Sequence, residues 1–131
     1  MKHTNSGEQF GIPLSEVEGD VEKSACESLK RLWEKVQLEH DVDAMEYIGL
    51  AYVYGNSGLP ASFEKGIGFL HLAAKGGCTT AQHYMADCYA YGIGVEQDVD
   101  AACEYYRLAI QDTDVDMRQT AQNQLERLKQ E

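Results

Sequence analysis

Three features predict an all-α protein, a short right-handed α-solenoid of two helix-turn-helix repeats closed by N- and C-terminal capping helices. The first is self-similarity. At a spacing of 37 residues, Ala44-Met45-Glu46-Tyr47-Ile48-Gly49-Leu50-Ala51-Tyr52-Val53-Tyr54-Gly55 falls on Ala81-Gln82-His83-Tyr84-Met85-Ala86-Asp87-Cys88-Tyr89-Ala90-Tyr91-Gly92, with Ala, three Tyr and Gly coinciding. The spacing shortens to 36 after Asn56-Ser57, so that Ser62-Phe63-Glu64 meets Asp98-Val99-Asp100 and Phe69-Leu70 meets Tyr105-Tyr106. A fixed period of this length marks a helical solenoid. The second feature is that the apolar residues recur at helical and not at strand spacing. The third is size: 131 residues with 44% hydrophobic content suffice for one continuous core.

In chain order, residues 1–13 hold Gly7, Gly11 and Pro13 without periodicity and read as a flexible tail before a single domain over 14–131. Val21, Ala25, Leu29, Leu32, Trp33 and Val36 form one apolar stripe and predict a cap helix over about 20–39. Repeat 1, about 43–77, and repeat 2, about 80–111, each begin with a helix whose buried stripe is Ala44, Ile48, Tyr52 and Ala81, Met85, Tyr89 respectively. Gly49 and Ala86 beside that stripe let a neighbouring helix approach closely. Asp43 and Thr80 are expected to cap these first helices, and Ser62 and Asp98 the second ones, through side-chain oxygens that accept from free amides. Gly55, Gly58, Gly92 and Gly94 turn the chain between them. The second helix of repeat 1 carries Gly66 and Gly68, each costing up to roughly 1 kcal/mol relative to Ala unless close packing uses the space. Val115, Ala121, Leu125 and Leu128 predict a last helix over about 114–130, capped by Asp114, with Arg127 and Lys129 at its negative end. Six helices are expected.

The pattern Ala44-x-x-x-Ile48-Gly49-x-x-Tyr52-x-x-Gly55 in repeat 1, and Tyr91-Gly92-Ile93-Gly94-Val95-x-x-Asp98-x-x-x-Ala102-x-x-Tyr105-Tyr106-x-x-Ala109 in repeat 2, resembles the Sel1-like repeat, a relative of the tetratricopeptide repeat. That resemblance implies a solenoid whose first helices line a concave surface. It also implies an adaptor role in assembling complexes or in signalling.

Composition narrows the partners. The net charge is −11, and the acid sits at the two ends: ten Asp/Glu against five Lys/Arg in residues 1–43, three against two in 44–94, nine against four in 95–131. Such a field repels nucleic acid and anionic lipid and attracts a basic protein, although solubility alone also accounts for it. No stretch approaches the roughly 20 apolar residues of a membrane span, and the N-terminus lacks the apolar segment of a secretory signal, so a cytoplasmic location is expected. Cys26, Cys78, Cys88 and Cys103 form no CxxC pair and read as reduced, mostly packed residues.

Chemistry offers little. Gly92-Ile93-Gly94 lacks the strand that precedes a phosphate loop. Asp112-Thr113-Asp114-Val115-Asp116 opens like a calcium loop, but Met117 replaces the turn Gly and Asn123 the final Glu. Cys78, His83 and Cys88 succeed one another at spacings that rotate their side chains about 140° apart on a helix, so they do not converge on zinc. Cys88 or Cys103 beside His71 or His83 is a conceivable nucleophile–base pairing, but nothing in the spacing demands it. A cysteine-rich branch of the resembled family binds or hydrolyses β-lactams, but its regular pairs of cysteines are missing here. Neither catalytic residues nor a cofactor or metal are therefore expected.

All eight tyrosines lie in the repeats. Tyr52, Tyr89, Tyr105 and Tyr106 take core positions, whereas Glu46, Tyr47, Leu50 and Tyr54, and equivalently His83, Tyr84, Asp87 and Tyr91, face away from the buried stripe, with Val53 and Ala90 beside them. This face is the candidate groove, since Tyr offers large contact area with a polar tip. The expected function is a monomeric protein–protein interaction module with a basic partner, either an immunity-type inhibitor of a toxin domain or a general adaptor.

Overall fold

The computed structural model describes residues 12–111 and 115–129. Among them there are seven helices and no strand: α1 Leu14–Lys23, α2 Glu27–Glu39, α3 Val42–Tyr54, α4 Phe63–Lys75, α5 Thr79–Tyr91, α6 Val99–Ala109 and α7 Val115–Lys129. The repeats are the pairs α3–α4 and α5–α6, each helix packing on the next in sequence. Alternate helices also touch, which makes two layers. In the odd layer Tyr52 of α3 reaches Asp20 of α1 and Arg127 of α7 reaches Tyr91 of α5; in the even layer Tyr105 of α6 meets His71 of α4.

The seventh helix comes from the N-terminal cap, which is two helices and not one. The chain breaks at Ser24, whose backbone is extended with φ −71° and ψ 140°. The Ser24 hydroxyl donates to the Ser57 carbonyl and accepts from the Cys26 amide. A serine side chain that bonds backbone in this way competes with helix continuation. The break leaves Ala25 exposed, so it drops out of the predicted stripe, while Val17 and Val21 of α1 join Leu29, Trp33 and Val36 of α2 in the core. Of the expected tail, residues 1–11 lie outside the described residues. Pro13 accepts the Val17 amide at the start of α1, and Ile12 packs against the core.

Caps divide in the same way. Ser62 and Asp98 accept from the Lys65 and Ala101 amides at 3.2 and 3.0 Å, as expected. The cap of α3 is Asp41, not Asp43, and it accepts from the Ala44 amide at 2.9 Å. The residue ahead of α5 is Cys78, whose side chain accepts no capping hydrogen bond, and Thr80 lies inside the helix. Both helices start earlier than predicted, so Asp43 and Thr80 fall in the first turn. The predicted cap Asp114 lies outside the described residues.

All six stripe residues of α3 and α5 are buried. Tyr52 stacks on Phe69 with centroids 6.1 Å apart, and Trp33 meets the same ring edge-on at 6.0 Å, tying α2, α3 and α4 together. In repeat 2, Tyr89 stacks on Tyr105 at 5.8 Å. The helix crossings are tight. A Cβ on Gly49 would stand 3.0 Å from the Gly66 carbonyl oxygen, and one on Gly66 would stand 2.7 Å from that of Gly49 and 2.6 Å from Val53 Cγ2. The loops use left-handed glycines at Gly55 and Gly92, with φ 69° and 68°. At the other end of the chain Ala121, Leu125 and Leu128 of α7 are buried.

α1 is held by polar contacts as well as by its two valines. Lys65 Nζ lies 3.0 Å from Asp20 and 3.1 Å from Glu16, and 5.6 Å over the Tyr52 ring, while the Tyr52 hydroxyl donates to Asp20 at 2.8 Å. Burial pulls the Asp20 carboxyl upward, but the hydrogen bonds from Lys65 and Tyr52 outweigh it and hold it below the usual carboxylate range. The hydrogen bond to Asp20 raises Lys65 in turn, against the effect of burial.

Two outcomes follow. Gly66→Ala should lower stability by roughly 1–3 kcal/mol in urea unfolding followed by circular dichroism, because overpacking against backbone exceeds the gain in helix propensity. A stabilised variant would show that α3 and α4 do not cross this closely. Asp20→Asn should cost on the order of 1 kcal/mol near neutral pH. A depressed carboxylate stabilises above its unfolded value near ~3.9 and loses that contribution as pH falls through its folded value. The gap between wild type and variant should therefore close below about pH 4; a gap that persists in acid would contradict the ion pair.

Candidate protein interface

Along α3, Asp43, Tyr47, Leu50 and Tyr54 recur at four, three and four residues and so line one side of the helix; Thr80, Tyr84, Asp87 and Tyr91 do the same on α5. Neither helix contains a single Lys or Arg. Tyr47, Tyr54 and Tyr91 are 47%, 65% and 49% exposed, a high figure for aromatic side chains on an ordered helix. Glu46, Leu50, His83, Tyr84 and Asp87 are half-buried.

The structure brings part of the predicted set into one concavity. Tyr47, Leu50 and Tyr54, with Ala51 and Asn56, wall an open hollow of about 270 Å³. The Tyr47 hydroxyl and Ser57 Oγ share a hydrogen bond of 3.0 Å, which steadies one wall. Tyr84 lies close enough to Tyr54 for the two phenols to interact electrostatically. Burial, followed by the acidic groups of Cys88, Tyr54 and Asp87, pushes its phenol up to about 12, so it stays a neutral donor. Asn56 stands in the loop where repeat 1 has one extra residue, a signal visible in the sequence as the change of spacing.

Other predicted members work elsewhere. Asp87 accepts the hydroxyl proton of the fully buried Tyr106, and the His83 ring meets Tyr106 edge-on at 5.5 Å with Nδ1 3.6 Å from Asp87. These two residues therefore serve the α5–α6 seam, because a buried phenol needs an acceptor. Ala90 is buried at 2% exposure and Val53 packs on Gly66, so neither lies on the open face. Tyr91 keeps half its surface open but accepts from Arg127 Nη2 at 2.6 Å.

Glu46 takes part in a contact that spacing alone does not reveal. Ligand atoms of Asp43, Glu46 and Cys78 lie within 4.8 Å of one another, where α3 meets the start of α5. Burial above all, and the nearby charge of Glu46, raise the Cys78 thiol, so it stays protonated and hydrogen-bonds to Glu46 across the repeat boundary. Burial and then the Asp87 charge push the Cys88 thiol up to about 12, above the range of activated cysteines. The calcium-like run at 112–116 falls largely outside the described residues. A second, larger hollow of about 770 Å³ lies between the even helices, lined in part by Ala74, Tyr105 and Leu108. No helix among the described residues is long and apolar enough to cross a membrane.

Two layers of helices in stacked pairs, with exposed tyrosines and an open concavity on one layer, define a helical-repeat interaction module. The family model for the Sel1 repeat matches residues 42–78 and 79–114, which are the pairs α3–α4 and α5–α6 with a few residues beyond. This chain belongs to the Sel1 repeat family. A crystal structure of a Sel1 repeat protein from Oxalobacter formigenes is similar, with 30% identity, a TM-score of 0.66, and 76% of this chain and 71% of that one covered. None of the curated proteins matches the sequence. Proteins of this family are generally non-enzymatic modules for protein–protein interaction.

Proposed function

We propose that this protein is a cytoplasmic, monomeric interaction protein that docks a basic protein partner on the face formed by α3 and α5, as an inhibitor of the immunity type that neutralises a partner such as a toxin domain. The observation that carries this reading is the pairing on that face of three well-exposed tyrosines with a complete lack of Lys and Arg in both helices. Exposed aromatic side chains in a concavity are the side chains from which interface hot spots are made. The net charge of −11, concentrated in the chain ends, supplies long-range attraction for a cationic partner. The larger hollow between α4 and α6 favours a second reading, a general adaptor that holds two proteins at once.

Affinity capture followed by substitution tests the reading. Tyr47→Ala and Tyr54→Ala should each weaken the captured complex by about 2 kcal/mol, mainly through faster dissociation, while association slows as salt rises. Tyr84→Ala and Tyr91→Ala should cost less, because Tyr84 is half-buried and Tyr91 is engaged by Arg127. An acidic partner, or four variants that fold and bind as wild type does, would refute the groove. A partner lost on Leu108→Glu but kept by the tyrosine variants would favour the adaptor reading.

A further inference from the structure

Tyr54 and Tyr91 hold the same position in successive repeats, 37 residues apart, yet their surroundings differ. At Tyr91 the chain supplies its own cation, Arg127 of the next helix in the odd layer, 2.6 Å from the phenol oxygen. A second cation, Lys65, lies over the ring of Tyr52 between Asp20 and Glu16. Twice, then, this fold seats a cation against a tyrosine. At Tyr54 the next odd helix is α5, which offers no Lys or Arg. Tyr54 is instead 65% exposed and walls the open hollow of about 270 Å³.

We propose that this hollow receives an arginine side chain of the protein partner, a cation brought from outside where the chain supplies its own at Tyr91. The inference rests on the reading that the α3–α5 face is the docking surface, and it specifies what enters there. The volume lies just below the roughly 300–1,000 Å³ of pockets that enclose small-molecule ligands, and suits a single long side chain. The rings of Tyr47 and Tyr54 offer π-faces to a planar guanidinium, Leu50 and Ala51 offer apolar surface to its methylenes, and Asn56 offers an acceptor. Asp43 stands one helical turn before Tyr47 on the same side of α3, adding negative charge at the rim. Arginine is favoured over lysine because its flat, delocalised cation stacks on aromatic rings and is more weakly hydrated.

The test is a chemical-shift titration of the full chain with acetyl-arginine-amide and with its neutral isostere acetyl-citrulline-amide. The arginine probe should shift Tyr47, Leu50, Tyr54 and Asn56 saturably, bind roughly five- to tenfold tighter than the citrulline probe, and lose its effect in Tyr54→Ala. Arg127→Gln should free Tyr91 and add it to the residues that respond to arginine. Equal affinity for the two probes, shifts confined to other surfaces, or no new response in Arg127→Gln would overturn the proposal. If Tyr47→Ala and Tyr54→Ala weaken a captured partner while the hollow ignores the arginine probe, the docking face stands and the arginine does not. If the probe behaves as expected while those variants leave the partner bound, the hollow takes arginine and the docking reading fails.

Discussion

The near-contact of backbones where α3 crosses α4 governs this molecule. Gly49 and Gly66 leave no room for a methyl group at the crossing, and repeat 2 places Ala86 and Ala102 at the same two positions, both fully buried. When two helices lie so close, only small residues fit along the line of contact, and bulky ones must sit to either side. On the inner side Tyr52 and Phe69 fill the space, with Trp33 closing it from α2. On the outer side of α3 and α5 the remaining large residues, Tyr47, Tyr54 and Tyr91, face solvent. The interior glycines of α4 give up helix propensity for this geometry. Replacing that loss with alanine would force the helices apart.

Because small residues line the crossing in both repeats, the outer face repeats as well. What breaks the symmetry is the capping. α7 brings Arg127 onto Tyr91, so repeat 2 is partly closed by its own chain, whereas Tyr54 in repeat 1 faces an open hollow. At the other end α1 is fixed by Asp20, Lys65 and Tyr52, contacts that lie beside the inner ring stack and not over the hollow. Among the described residues the caps therefore complete the core and leave the hollow at Tyr54 open. Charge follows the same division: the acid is concentrated in the first and last segments, and the middle of the chain, which carries the face, is nearly neutral. A cationic partner would be drawn to the whole body and seated on the aromatic part.

The repeat architecture was legible because it depends on local signals. Two copies of one pattern, apolar residues at helical spacing, and glycines at positions that need a positive φ all act within a few residues. Ser62 and Asp98 were readable as caps for the same reason. The break in the N-terminal cap was not, since Ser24 bonds Ser57, 33 residues away, and nothing in the local sequence announces that partner. Asp41 and Asp43 are chemically equivalent caps two residues apart, and only the start of the helix decides between them. On the candidate face, Tyr47, Leu50 and Tyr54 followed from the helical wheel. Asp87 and His83 did not, because their positions point outward while the Asp87 carboxylate accepts from the hydroxyl of Tyr106 on another helix and the His83 ring packs edge-on against the ring of Tyr106. The pairing of Glu46 with Cys78 likewise depends on how one repeat stacks on the next.

On the function proposed above, a partner binds on the outer side of α3 and α5, at tyrosines that the close crossing leaves unburied. Hydrogen–deuterium exchange of the full chain, with and without a captured partner, tests it directly. Added protection is expected over residues 42–56 and 79–92, with α4 and α6 unchanged. Protection confined to residues 63–75 and 99–109, the even helices around the larger hollow, would contradict it.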